Sequence, residues 1–244
     1  MLQIVKSIEP ILRCPIKVLG TAMLCLLISA TPNITAAQSS QANPLPAPNR
    51  GADGTMPPAS VELFQRGLTT RNAIEARALH QRSCDAGGAL GCFFVGVSYS
   101  DSVVGPVDLV QAKRFFILGC EKGTAASCKR VGDFLSDVGS TASEQQEART
   151  YYKQACDNQN GDGCHFLGVM LGQGHGGPKD QIAAGRLFEA ACAFNQGTAC
   201  FNLGVYAANG FGRNIDLTAA RAAYDKACRL GISRSCNIGD AVKK

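Results

Sequence analysis

Residues 180–212 read DQIAAGRLFEAACAFNQGTACFNLGVYAANGFG. Inside this stretch Cys192 and Cys200 stand eight residues apart. The same step recurs in Cys84/Cys92, Cys120/Cys128, Cys156/Cys164 and Cys228/Cys236. From each pair to the next the distance is 36 residues, four times in succession. A fixed period between about 20 and 50 residues marks stacked supersecondary units, so the chain reads as an array of five repeats.

The columns of the repeat predict its helices. Eight residues before the first cysteine stands alanine in every repeat: Ala76, Ala112, Ala148, Ala184 and Ala220. Four before it stands a ring, His80, Phe116, Tyr152, Phe188 and Tyr224, and one before it a small residue. Spacings of four and three trace one stripe of an α-helix, here helix A. Asn72, Asp108, Asp180 and Asp216 are suited to N-cap four of these helices. In repeat three Ser143, with Gln146 three residues on, is the expected capping box. The helix end is expected at Gly87, Gly123, Asn195 and Gly231, residues that tolerate the left-handed conformation. Repeat three has Gln159 at that place and reaches glycine only at Gly161.

Helix B begins near the second cysteine. Four repeats carry an apolar residue and then glycine: Val95-Gly96, Val131-Gly132, Leu167-Gly168 and Leu203-Gly204. Glycine inside a helix costs about 1 kcal/mol relative to alanine, so one column of glycines points to close approach by a neighbouring helix. Repeats three and four then turn through Gly174-His175-Gly176 and Gly210-Phe211-Gly212; repeats one and two lack this turn. The two cysteines of a repeat thus lie across one tight turn, at the end of helix A and the start of helix B. Pairing within the repeat would staple the hairpin, whereas pairing between repeats needs the A-end of one hairpin beside the B-start of another. Residues 59–67 resemble an orphan helix B that caps repeat one.

The N-terminal 37 residues have the pattern of an export signal. Lys6, Arg13 and Lys17 precede an apolar run from Val18 to Ala30, and Thr35-Ala36-Ala37 offers small residues for cleavage. Residues 38–58, with five prolines and few large apolar side chains, read as a flexible linker. The expected organisation is a signal peptide at 1–37, a linker at 38–58, and five repeats with a half-repeat cap at 59–244. Processing would remove Cys14 and Cys25, leaving ten cysteines, and would lower the formal net charge from +5 to +3. That small, dispersed charge gives no footprint for nucleic acid. An exported chain with an even, regular cysteine set points to an oxidising compartment, periplasmic or secreted, with no stable membrane insertion once the signal is gone.

The columns Asp216-x3-Ala220-x3-Tyr224-x2-Ala227-Cys228, Cys164-x2-Leu167-Gly168 and the Gly-x-Gly turn resemble Sel1-like repeats, relatives of the tetratricopeptide repeat. The cysteine pair in each unit is similar to the secreted cysteine-rich branch, the Helicobacter-type cysteine-rich proteins. The resemblance covers about residues 60–244. It implies an all-α, right-handed superhelical solenoid of αα-hairpins. It also implies one disulfide per repeat, between Cys84 and Cys92, Cys120 and Cys128, Cys156 and Cys164, Cys192 and Cys200, and Cys228 and Cys236. Members of that branch often carry the label β-lactamase or penicillin-binding.

Catalytic motifs do not support an enzyme reading. Ser-x-x-Lys, which a serine β-lactamase requires, does not occur; the nearest match is Thr150-x-x-Lys153, expected on the surface of helix A. Three histidines, His80, His165 and His175, fit no zinc motif, and eight-residue cysteine spacing is not that of a zinc ribbon. Asn158-x-Asn160-x-Asp162-Gly163 has the opening of a calcium loop without its closing glutamate, whose place Val169 takes. No metal or other cofactor is expected. One surface column stands out: Arg77, Lys113, Arg149 and Arg221 follow the core alanines, with Gly185 and then Arg186 in repeat four. Stacked at the repeat spacing, they are a candidate basic ladder for an acidic partner. The expected function is a binding scaffold for protein, peptide or peptidoglycan-type ligands. The alternative is β-lactam binding or weak hydrolysis in the solenoid groove.

Overall fold

The computed structural model describes residues 57–241, so the predicted signal at 1–37 and almost all of the linker at 38–58 lie outside the described residues. Eleven α-helices fill the described part, without a strand: α1 (Pro58–Thr69), α2 (Ala73–Asp85), α3 (Ala89–Ser100), α4 (Leu109–Glu121), α5 (Ala125–Leu135), α6 (Ala142–Asp157), α7 (Gly161–Gln173), α8 (Gln181–Ala193), α9 (Gly197–Asn209), α10 (Leu217–Arg229) and α11 (Ser233–Ala241). Each helix packs mainly on the one before and the one after it, which makes the array a solenoid of αα-hairpins. Helices α2, α4, α6, α8 and α10 are the A helices. Helix α1 is the orphan B helix, and it starts at Pro58, one residue earlier than expected, with proline in its first turn.

The A helices begin where polar side chains take up free amides. Asn72 accepts from Ile74 and Glu75, and Asp108, Asp180 and Asp216 each accept from the amide three residues on. Repeat three corrects the sequence reading. Its cap is Thr141, not Ser143, and the box partner is Glu144 instead of Gln146. The Glu144 carboxylate accepts from the Thr141 amide at 2.8 Å while Thr141 Oγ1 accepts from the Glu144 amide at 3.2 Å. The cap thus lies three residues further from the first cysteine than in the other repeats, and α6 is 16 residues long where α4, α8 and α10 are 13. The helix ends also differ there. Gln159 takes the left-handed conformation (φ 61°) that glycine adopts at Gly87, Gly123 and Gly231. The turn is thus dictated by the hairpin and its staple, even where no glycine eases it.

The glycine column is the joint between repeats. A Cβ on Gly96 would stand 2.7 Å from the Phe116 ring, one on Gly132 2.6 Å from Tyr152, one on Gly168 2.9 Å from Phe188, and one on Gly204 2.7 Å from Tyr224. Gly67 of α1 meets His80 in the same way at 2.5 Å, which shows α1 to be a true B helix. Each ring of an A helix therefore sits on bare backbone of the preceding B helix. Phe116, Tyr152, Phe188 and Tyr224 are at most 4% exposed, and the alanines at 112, 148, 184 and 220 are fully buried.

His80 is the one titratable imidazole in that column. It packs against Phe64 of α1 and Phe94 of α3, with ring centroids 5.4 and 5.0 Å away, and its buried Nε2 has no partner among the described residues. Helix α3 carries no charged residue, and α1 offers Glu62 and Arg66, both solvent-exposed. Burial pushes the His80 pKa down; it does the same for His165, partly offset by Asp162. The unfolded chain, with ordinary imidazoles near pH ~6.5, therefore binds protons first as pH falls. Stability from these groups is complete above that pH and is lost from about pH 6.5 downward. The melting temperature is expected to be flat from pH 7.5 to 9 and to drop between 6.5 and 5. His80→Phe, which copies Phe116, should flatten part of the drop. An unchanged slope in His80→Phe would refute the assignment.

Candidate functional site

All ten cysteines of the repeats are joined in eight-residue steps: Cys84–Cys92, Cys120–Cys128, Cys156–Cys164, Cys192–Cys200 and Cys228–Cys236, with Cα atoms 4.5 to 4.9 Å apart. Pairing between repeats is thereby set aside, and no thiolate of the repeats is left for zinc. In the inner repeats the next hairpin covers the bond. Ala155 and Tyr151 pack on Cys120–Cys128, and Ala227 and Ile232 on Cys192–Cys200.

The residues of the basic column each have a different partner. The Arg77 guanidinium lies 4.8 Å from the Tyr99 ring centroid. Lys113 faces Glu144, whose carboxyl is held below the usual range mainly by its Thr141 hydrogen bonds and more weakly by this lysine. Arg221 approaches Asp225 at 3.7 Å in an exposed pair. Arg149 clamps the turn after α7: Nε donates to the His175 carbonyl at 2.5 Å, and Nη2 to the carbonyls of Met170, Gly177 and Pro178 at 3.2 to 3.3 Å. At Gly185, Arg213 from the following turn comes within 3.3 Å of the place a Cβ would take. The spacing found the column. The individual partners divide it.

What the structure does bring together is a groove of about 510 Å³ between α6 and α8, floored by α7. Its floor is aliphatic: Leu167 and Leu171 of α7, with Leu187 and Ala183 of α8. Arg149, Lys153 and Arg186 stand on its rim, against one carboxylate, Asp157. Arg149 bonds only to carbonyls and Arg186 makes no ion pair among the described residues, so the rim keeps a positive excess. Thr150 also lines the groove, but its partner in the nearest Ser-x-x-Lys match is not a free amine. Lys153 Nζ holds Asp157 at 2.6 Å.

A second cleft, of about 470 Å³, lies where α5 and α7 meet over α6. At its edge the Tyr152 hydroxyl donates to Asp133 Oδ1 at 3.1 Å and lies 2.8 Å from Ser136 Oγ, while Lys129 holds Asp133 Oδ2 at 2.8 Å. The trio of serine, tyrosine and aspartate is not a nucleophile with its base. Burial pushes the Tyr152 phenol far up, out of the range where it takes a proton near neutral pH. These groups can position a ligand, not attack one. Sequence reasoning missed Asp133, Ser136 and Met170, since each lies in a column where the repeats differ. Among the described residues no cluster of histidine, cysteine or carboxylate could hold a metal ion, and no helix is long and apolar enough to cross a membrane.

A family model described as Sel1 repeat matches residues 59–88, 89–124, 125–160, 161–193 and 197–232. No curated protein matches the chain. Among solved structures the chain is similar to a protective antigen of uropathogenic Escherichia coli strains that displays this repeat fold (21% identity, TM-score 0.67). The match covers 75% of the chain but only 41% of that antigen's length. A Sel1 repeat protein of Oxalobacter formigenes matches at 19% identity and a TM-score of 0.66, over 80% of this chain and 79% of that one. Helicobacter pylori cysteine rich protein B is 29% identical over 54% of this chain and 94% of its own, with a TM-score of 0.45.

Proposed function

The chain belongs to the Sel1 repeat family, and from that premise we propose that it is a disulfide-braced scaffold that binds segments of other proteins. The observation carrying this reading is the groove between α6 and α8, with an aliphatic floor and a basic rim. An extended peptide that lays aliphatic side chains on Leu167, Leu171 and Leu187 and sets carboxylates against Arg149, Lys153 and Arg186 satisfies both features. Arg77, which forms no ion pair among the described residues, would extend this basic surface, whereas Lys113 and Arg221 face Glu144 and Asp225 and add less. Five disulfides suit an oxidising, extracellular setting, and export through a cleaved segment at 1–37 with a free linker at 38–58 is the route we propose to it. Rigid staples favour binding, because a groove fixed in advance loses little entropy when it is filled.

The test is a fluorescence-polarisation titration with three labelled peptides of equal length: leucine-rich and acidic, leucine-rich and basic, and polar and acidic. The first is expected to bind best, to weaken as salt rises, and to lose about tenfold in affinity with Arg186→Glu, a change of ~1.4 kcal/mol. Equal binding of the basic peptide, or no effect of Arg186→Glu, would sink this reading. Displacement by a muropeptide instead would redirect the partner to peptidoglycan.

A further inference from the structure

The cleft over α6 is a site of a different kind, independent of the groove between α6 and α8. Six residues after the second cysteine, the B helices carry Ser98, Phe134, Met170 and Tyr206. In repeat two Phe134 packs against the core ring Phe116, centroids 6.0 Å apart. In repeat four Tyr206 stands edge-on to Phe188 at 5.0 Å, with Phe211 against its other side at 5.3 Å. Gly172 of the preceding repeat leaves room there for the Tyr206 hydroxyl. Repeat three holds Met170 at this position instead of a ring; Met170 is 6% and Tyr152 2% exposed, so the thioether itself covers the core ring. The cleft of about 470 Å³ opens there, walled by Tyr152 and Phe166, which stack with centroids 5.4 Å apart.

Repeats two and four thus put an aromatic side chain of helix B where repeat three has the slimmer Met170, which lines the cleft. We propose that the repeat-three cleft receives such a ring from a partner chain, a tyrosine or phenylalanine next to a basic residue. The polarizable thioether of Met170 is a favourable floor for a ring, and an aromatic side chain brings the largest apolar area of any residue type. The charge preference follows from the mouth. Both charged residues lining the cleft are aspartates, Asp133 and Asp137. Lys129 already occupies one oxygen of Asp133, whereas Asp137 is exposed and forms no ion pair among the described residues. A volume of this size lies in the range of sites that hold small ligands or single anchoring side chains.

The chain contains four methionines, so the ε-methyl of Met170 can be followed by ¹³C-methyl NMR of the full chain and assigned with Met170→Leu. The probes are N-acetyl-tyrosinamide, N-acetyl-arginyl-tyrosinamide and N-acetyl-leucinamide. The tyrosine probes are expected to move the Met170 methyl by ring current and to saturate, with Kd on the order of 1 mM for so few atoms. The arginyl probe should bind about fivefold tighter, an advantage lost in Asp137→Asn, a surface change that leaves the fold intact. Met170→Tyr fills the cleft with the chain's own ring and should cut binding at least tenfold in ligand-observed NMR. No saturable shift, an equal shift from the leucine probe, or undiminished binding by a folded Met170→Tyr each overturns the proposal. These readouts do not involve Arg186 or the other groove, so either site can fail without the other.

Discussion

Held in excess reductant at neutral pH and 25 °C, the protein is expected to lose most of its helical circular dichroism without any denaturant. Each staple closes a loop of about nine residues and is worth about 2.5 kcal/mol in the chain-entropy model. Five of them contribute on the order of 12 kcal/mol, as much as the whole stability of an ordinary domain at about 5–15 kcal/mol. The hairpins have little with which to replace that. Their fully buried positions are mostly alanine and cysteine, with one large ring per A helix, so the apolar area per repeat is small. Loss should also proceed in order. Cys228–Cys236 belongs to the last repeat, with no hairpin beyond it among the described residues; both of its sulfurs lie at half-buried residues, whereas Cys92, Cys164 and Cys200 are fully buried. Graded reductant with alkylation and peptide mapping should open Cys228–Cys236 first. A reduced chain that still melts cooperatively within a few degrees of the oxidised one would refute the account.

The period made most of this architecture readable. A 36-residue step in cysteine, alanine and ring columns left one way to wind the helices, and the structure places helices A and B on those columns. What the sequence hid lies where tertiary packing overrules local preference. Thr141 caps α6 because Glu144 can reach back to it, a choice between two neighbouring boxes that pattern does not make. Gln159 adopts a left-handed φ because the hairpin and its disulfide require the turn, at a cost a glycine would avoid. The basic column illustrates a different limit. Equal spacing put Arg77, Lys113, Arg149 and Arg221 in register, but an arginine's partner depends on loops that vary between repeats. Arg149 bends to the carbonyls after α7, while Arg77 meets a ring, Tyr99. The cleft over α6 was hidden for the same reason: it arises from an exception, Met170 between Phe134 and Tyr206, and columns draw the eye to what repeats.

Gly132→Val is expected to destabilise the protein by about 3 kcal/mol and to split its unfolding into two stages. The Cβ alone would stand 2.6, 2.7 and 2.9 Å from atoms of the Tyr152 ring, and valine adds two methyls beyond it. That ring cannot swing aside. It is 2% exposed, stacked on Phe166 and tethered through its hydroxyl to Asp133 and Ser136. Overpacking of this kind commonly costs about 1–3 kcal/mol, and the gain from removing a helical glycine, about 1 kcal/mol, offsets only part of a clash with three ring atoms. The damage should stay local in origin because each hairpin touches only its neighbours, so stability is close to a sum of repeats and interfaces. Breaking the α5–α6 joint therefore separates repeats one and two from repeats three to five. Hydrogen exchange should show protection lost across α5 and α6 while amides of α8 to α10 keep theirs. Combining Gly132→Val with Tyr152→Leu, which shortens the opposing side chain, should cost clearly less than the two changes summed, since contacting residues couple. Additive losses would mean that the glycine serves the helix backbone and not the ring, and the joint between repeats would then have to rest on the alanine column.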